Sequence, residues 1–297
     1  MMSNLPKISV VTPSFNQGQF LEQTILSVLG QNYPNLEYII IDGGSTDNSV
    51  EVIKKYADKL TYWVSERDNG QAHAINKGFE KAIGDILCWL NSDDMYMPDI
   101  LNLVAVSLDI ENAEIITGNC IHFTESEEFG VVAEGCKTIQ YFQELDLINV
   151  DFITQPSTFW TRKVWENVGK LNEEYHFVFD WEWFIRVKQM NVIFKLVNRT
   201  LSLYRIHAAH KTTVGWGQRR KEFIELYKQF NQEENVWLYE QLLVDMKKLS
   251  TKKASLLRYL FRIFRIHISE QYLLKLLCGR KYKNIDYDKF LSIFNVI

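Results

Sequence analysis

Four short apolar runs, each ending in a polar or acidic cluster, constrain this chain more than any other feature. Ile8 to Val11 leads into Thr12-Pro13-Ser14-Phe15-Asn16, and Leu36 to Ile41 leads into Asp42. Leu60 to Val64 precedes Glu66 to Gly70, and Ile86 to Leu90 precedes Asn91-Ser92-Asp93-Asp94. Helical patterns separate the runs: Phe20, Leu21, Ile25, Val28 and Leu29 form one stripe, and Val50, Ile53, Tyr56 and Ala57 a second, with Ser45 or Thr46 as its N-cap. Ala72, Ile75, Phe79 and Ile83 form a third. Strands joined by helices of this length predict parallel βαβ crossovers and a doubly wound sheet covered on both faces. Ligands of such sheets bind beyond the carboxyl ends of the strands, which is where these polar clusters fall.

The chemistry of those ends excludes two common nucleotide sites. Neither a G-x-G-x-x-G dinucleotide loop nor a G-x-x-x-x-G-K-[ST] loop follows the first strand. A diphosphate bound here needs another source of positive charge, and a divalent cation held by carboxylates is the simplest. Asp93 and Asp94 are the candidates. Adjacent buried carboxylates repel one another unless a cation or donor groups compensate. The alternative is a solvated turn that caps a helix with Pro98 in its first turn. Asp42 and Asp68 likewise suit either contacts to a base or ribose or ordinary Asp-Gly and Asp-Asn-Gly turn chemistry.

Beyond residue 110 the pattern loosens. Strands are predicted near Glu114 to Thr117 and Cys120 to Phe123, then an exposed acidic turn from Glu125 to Gly130. Gln155-Pro156-Ser157-Thr158 reads as a loop and strand lining a pocket. Tyr141, Phe142, Phe152, Trp160 and Trp165 suit either core packing or stacking on sugar faces. Phe177 to Arg186 embeds Asp180 and Glu182 among large apolar residues. There Asp180 is either a base or an N-cap, and Glu182 is either the base in its place or pairs with Arg186 at i, i+4. Tyr204-Arg205-Ile206-His207, with His210 nearby, follows a strand from Leu201, and an imidazole suits a manganese-like cation.

Six segments in this order resemble family 2 glycosyltransferases: Thr12 to Asn16, Ile41 to Asp47, Asp68-Asn69-Gly70 with Ala74 to Gly78, Gly84-Asp85, Asn91 to Asp94, and Phe179 to Glu182. The likeness covers residues 6 to 210. It implies a GT-A-type, Rossmann-like α/β fold, with a mixed, mainly parallel sheet flanked by helices. It also implies a nucleotide-sugar donor, Mn²⁺ or Mg²⁺, and inversion at the anomeric carbon. By the resemblance, Asp42 and Asp68 contact the base and ribose, Asp93 lies beside the ribose and metal, and Asp94 is the metal ligand with His207 as a further one. Asp180 is the general base, and Pro13, Phe15, Asn16 and Glu182 join the substrate-binding set. Gly43 and Asn91 depart from the usual pattern, where acids are common. A uridine nucleotide is the expected donor carrier, and the acceptor is a carbohydrate or glycolipid, as in surface polysaccharide synthesis.

Two rival functions remain open to test. A sugar-nucleotidyltransferase would carry a glycine-rich, arginine-containing loop after the first strand, and Pro13-Ser14-Phe15-Asn16 is not that loop. A non-catalytic nucleotide-sugar-binding module would bind donor without releasing nucleoside diphosphate.

The catalytic domain is expected over 1–215, and a helical, basic extension over 216–297. Residues 251–297 hold ten Lys and Arg against three acids, although the whole chain has a formal charge of -4. Leu257, Leu260, Phe261, Phe264, Ile266 and Ile268 interleave with Arg258, Arg262 and Arg265. This suits a helix on an anionic membrane surface or one packed on the catalytic domain. Nucleic acid is excluded as a partner by the acidic remainder and the lack of any matching motif. No signal sequence or apolar stretch of roughly eighteen residues is present, so a cytoplasmic protein is expected, with membrane association through that end. Cys88, Cys120, Cys136 and Cys278 form no CxxC pair and are expected to be buried, reduced thiols.

Overall fold

The computed structural model describes residues 5–126, 128, 130–137, 146–149, 151–190, 192–207, 211, 216–263, 268–279, 281–282 and 284–296. Tyr141, Phe142, His210, Phe264, Arg265 and Ile266 lie outside the described residues. The chain divides into two compact units, Met1–Glu144 with Phe152–Arg219, and Leu145–Asp151 with Arg220–Ile297.

The first unit opens with the predicted alternation: β1 (Ile8–Ser14), α1 (Gly18–Leu29), β2 (Leu36–Asp42), α2 (Ser49–Lys55), β3 (Tyr62–Ser65), α3 (Gln71–Lys81) and β4 (Ile86–Trp89). β3, β2, β1 and β4 lie side by side in that order, and all are parallel. Strict alternation serves both faces. Ile8, Val10, Tyr38, Ile40, Ile86 and Cys88 share one core with Leu21, Ile25 and Val28 of α1. Trp89, on the other face, sits within a ring cluster with Phe79 of α3 and Trp160. Pro13 tolerates a central strand because the β1–β4 ladder stops at Val11 opposite Trp89.

The remaining elements of this unit are β5 (Met95–Tyr96), α4 (Ile100–Ser107), β6 (Glu114–Ser126), β7 (Gly130–Lys137), β8 (Thr158–Thr161), α5 (Arg162–Val168), α6 (Phe179–Gln189) and β9 (Ile193–Arg205). They extend the sheet in the order β4-β8-β6-β9-β5, with β7 paired to β6. β8 is antiparallel to both β4 and β6, whereas β6 and β9 are parallel, so the sheet is mixed.

Several local expectations are corrected. The two strands expected near 114 and 120 are one strand, β6, whose pairing with β9 shifts register around Asn119. The acidic turn is the tip of the β6–β7 hairpin, and β7 has no apolar alternation to announce it. α2 starts after Asn48, not at Ser45 or Thr46, because those two residues are hydrogen-bonded to Asp42 and Asn16. Pro98 lies ahead of α4, whose N-cap is Asp99 in the left-handed region at φ 59°. Ile83 falls beyond α3 and is 66% exposed.

The second unit is helical: most of α7 (Trp216–Gln229), then α8 (Glu233–Asp245), α9 (Lys252–Ile263), α10 (Glu270–Cys278) and α11 (Tyr287–Val296). Much of its positive charge is used internally. Asp245 accepts from Lys281 and Tyr282 and pairs with Lys248, while Lys289 pairs with Glu234. Burial opposes the ionisation of Asp245, but these donors outweigh it and hold the carboxyl well below the usual range. No helix among the described residues is long and apolar enough to cross a membrane.

Candidate functional site

The carboxyl ends of β1, β2 and β4 meet loops whose polar groups are tied to one another. Asp42 ends β2 with no exposed surface. Its Oδ2 accepts from Gly44 N at 3.2 Å, Ser45 N at 2.9 Å and Ser65 Oγ at 2.6 Å, and its Oδ1 from Ser45 Oγ at 2.5 Å. Both oxygens are therefore spent on shaping the β2–α2 loop. Asn16, at φ 52°, ties this loop to the end of β1: its N–H donates to Ser45 Oγ and its Oδ1 accepts from Thr46 N, both at 2.8 Å. Pro13 is buried within β1, whereas Phe15 is 60% exposed just past the strand end.

The Gly43 departure has a structural reason. A Cβ there would lie 2.6 Å from Asp68 Oδ2, so the missing side chain makes room for the Asp68 carboxylate. An acid at position 43 would confront Asp68 with like charge. Asp68 Oδ1 accepts from Gly70 N at 2.8 Å, and Gly70 holds φ 119°, a conformation suited to glycine, at the start of α3.

The β4–β5 loop is built differently. Thr24, fully buried in α1, donates to Ser92 O at 2.9 Å and is 2.7 Å from Asp94 O, fastening the loop from beneath. Asp94 is 1% exposed. Its Oδ1 accepts from the Arg205 N–H at 3.1 Å, and its Oδ2 from Asn91 Nδ2 at 3.4 Å. Burial, reinforced by the neighbouring Asp93 charge, holds the Asp94 carboxyl well above the usual carboxylate range despite these two donors. Asp93 instead reaches His207, with Oδ2 and Nε2 3.0 Å apart.

Arg205 organises this corner, and its role was not apparent in the sequence. The side chain is 1% exposed, and its Nε donates to Asp93 O at 3.0 Å. Its guanidinium pairs with Glu125, bonds Gln23 of α1, and lies 4.8 Å from the Phe20 ring centre and 4.7 Å from that of Phe123. The Phe20 ring also meets the His207 imidazole, with centres 4.6 Å apart. α1, the acid loop, β6 and the end of β9 thus converge on one guanidinium. The signal for such a hub is spatial, because its partners lie up to 182 residues away in sequence.

Asp180 stands in the first turn of α6, half-buried, with its Oδ1 accepting from Trp181 N at 2.8 Å. A carboxylate there is stabilised by the helix dipole. The helix is anchored beside β4 by Phe179 and Phe184, whose ring centres are each 6.4 Å from that of Trp89. Glu182 is set apart from this group. It is 2% exposed and clasped by Arg186, whose Nε lies 2.9 and 3.0 Å from the two oxygens and whose Nη2 lies 2.9 Å from Oε2. The i, i+4 pairing, one of the two sequence alternatives, is the arrangement present. Trp160 is fully buried among Trp89, Trp183 and Phe79 and is core; half-buried Trp165 packs on Phe79 and Trp183.

A polar chain missed in the sequence links α6 to the acid loop. Lys211 Nζ lies 5.4 Å from the ring centres of both Phe177 and Phe179 and donates to Gln71 Oε1 at 3.1 Å. Gln71 donates to Asn91 Oδ1 at 2.7 Å, and Asn91 Nδ2 bonds Gln155 Oε1 at 3.5 Å. Asn91, an amide where an acid is common, can donate to Asp94 and Gln155 while accepting from Gln71. A carboxylate could not do so.

The site also bears on the expected cation. Asp93 and His207 put a carboxylate and an imidazole in contact, a donor set that suits a manganese-like ion. No group of three or more His, Cys, Asp or Glu that could hold a metal occurs among the described residues. Two protein ligands fit a cation that completes its shell with substrate phosphates and water.

Comparisons with known proteins agree with this architecture. An uncharacterized glycosyltransferase of Haemophilus influenzae is 44% identical over 101 residues, 33% of this chain and 40% of that protein. The match thus spans about two fifths of that curated relative's length. Staphylococcus aureus TarS 1-349 in complex with UDP-GlcNAc aligns with a TM-score of 0.59 at 14% identity, over 98% of this chain and 79% of that one. A mannosyltransferase from Pyrobaculum calidifontis, PcManGT, in complex with GDP-Man and Mn²⁺, aligns with a TM-score of 0.60 at 13% identity, over 99% and 86%. These likenesses show the GT-A-type fold. The model of glycosyl transferase family 2 matches residues 9–167, more than half of the 297-residue chain, and the chain belongs to that family.

Proposed function

We propose that this chain transfers a sugar from a nucleoside diphosphate sugar, with a UDP-sugar the favoured donor, to a hydroxyl of a carbohydrate or glycolipid acceptor, inverting the anomeric carbon. The observation that carries the reading is the Asp93–His207 contact at the carboxyl end of the sheet, beside the buried Asp94. The UDP-GlcNAc complex of TarS and the GDP-Man complex of PcManGT support a nucleotide-sugar donor, and the latter's Mn²⁺ supports a divalent cation.

Asp94 and His207 would hold Mn²⁺ or Mg²⁺, with Asp93, in contact with the imidazole, beside the ribose and metal, and the ion would supply positive charge for the departing diphosphate. Lys211 adds a protein cation on the α6 side. Phe15 offers an exposed ring past β1 for the base, and Asp68, placed against Gly43, offers a carboxylate for base or ribose. Asp42, with Asn16, shapes the β2–α2 loop and sits beside these residues as a further carboxylate for base or ribose.

Asp180 accepts the proton of the acceptor hydroxyl as that oxygen bonds to the anomeric carbon. The bond from that carbon to the diphosphate oxygen breaks on the opposite face, and the electron pair leaves with the diphosphate. Asp180→Asn tests this step. Donor affinity should stay near that of the unmodified chain while turnover falls about 10² to 10⁴-fold. The N-cap of α6 is Val178, not Asp180, so turnover within a few-fold of the unmodified chain would leave Asp180 as a first-turn helix residue with no part in the proton transfer.

A further inference from the structure

We infer that α9 is a preformed docking surface for an anionic lipid bilayer. The inference concerns the helical unit alone and does not depend on the donor reading.

α9 is apolar on two sides. Its inner side carries Ala254, fully buried, with Leu257 and Phe261 half-buried. Its outer side carries Leu256, Tyr259 and Leu260, which are 58%, 62% and 41% exposed. Spacings of three and four residues place these three on one stripe. An apolar stripe on a helix is ordinarily buried against a neighbour, and no described residue covers this one. Arg258 fixes the rotation: its Nε and Nη2 donate to the Glu270 carboxylate at 2.9 and 2.6 Å, and its Nη1 to Leu249 O at 2.9 Å. The outer stripe is therefore held outward before any partner arrives.

Charge selects the occupant. Lys252, Lys253 and Arg262 are exposed on the same helix, and no ion pair among the described residues involves them. α9 contains no Asp or Glu. Two copies meeting through this stripe would bring six basic side chains together without a compensating acid. A bilayer with anionic headgroups takes the apolar stripe at its interface and the flanking cations at its phosphates. The stripe runs along the length of α9, so contact lies in the plane of the surface.

The test is co-sedimentation of the full chain with vesicles of equimolar phosphatidylcholine and phosphatidylglycerol, and with pure phosphatidylcholine. The chain should partition to the anionic vesicles alone, and less as salt rises. The combined change Lys252→Gln, Lys253→Gln and Arg262→Gln should weaken binding on the order of a hundredfold, since each basic residue near such a surface contributes about fivefold. Leu256→Ser, Tyr259→Ser and Leu260→Ser together should weaken it at least about tenfold at an unchanged melting temperature. Equal partition to both vesicle types, absence of binding, or indifference to the charge substitutions would overturn the inference. So would a dimer of the unmodified chain that the serine substitutions dissolve, because the stripe would then be covered by a second copy. If the serine variant fails to fold, the charge variant and the salt titration decide alone, since those three side chains are exposed.

Discussion

The β2–α2 and β4–β5 connections both carry acids beyond or at the end of a buried strand, yet they treat those acids in opposite ways. Asp42 receives donors on both oxygens from its own loop and from Ser65. In the β4–β5 loop the donors are fewer and the carboxylates are adjacent. Asp94 has the Arg205 N–H and a long contact from Asn91, while Asp93 turns to His207. A saturated carboxylate stabilises a loop. An undersaturated pair, one member of which burial holds well above the usual carboxylate range, is poised to gain from a cation. The number of in-chain donors, more than the position at a strand end, separates the two.

Substitution should separate the two loops cleanly. Asp93→Ala and His207→Ala should each weaken donor binding in the presence of Mn²⁺ about 10 to 100-fold, as loss of a metal ligand or its close partner does, with little change in melting temperature. Calorimetric titration of nucleotide sugar with and without Mn²⁺ measures this. Unchanged affinity for both variants would remove the pair from the metal site. Asp94→Ala should disturb donor binding and the hold on Arg205 together, since its carboxylate accepts from that N–H.

Asp42→Ala should act on stability first. It leaves the part-buried donors of Gly44, Ser45 and Ser65 without their acceptor, a loss of about 2 to 3 kcal/mol, readable as a melting-temperature drop of roughly 5 to 10 °C. A variant that melts like the unmodified chain but binds donor poorly would reverse the comparison and make Asp42 a direct contact.

Gly43→Ala is the smallest expected effect. Its Cβ would press on Asp68 Oδ2, the end of a side chain that can swing, so destabilisation should stay near about 1 kcal/mol. Because Asp68 must move, donor affinity should fall by more than stability does. Equal, negligible changes in both would detach Asp68 from the donor.

The parallel half of the sheet was legible because both of its faces are buried. Ile8, Val10, Ile40 and Ile86 alternate with residues that are also buried, among them Val11, Ile39, Ile41 and Leu87, so the strands read as near-continuous apolar runs. The antiparallel half was less legible. β7 is exposed along nearly its whole length, and β6 changes register around Asn119, so neither leaves an unbroken apolar pattern. Cys88 and Cys120 are buried free thiols, whereas Cys136 is exposed, against the expectation of buried cysteines.

By itself, the sequence determined the βαβ alternation, the order of the polar strand ends and the family to which they belong, because all three rest on local periodicity and spacing. Only the tertiary structure decided which acids are already satisfied. It placed Asp93 on His207 across 114 residues, clasped Glu182 with Arg186, set Asp68 in the space left by Gly43, and drew the acid loop onto Arg205 between two aromatic rings. The free energy of a carboxylate depends on the donors, charges and burial around it, and those neighbours arrive from distant parts of the chain only when the sheet closes.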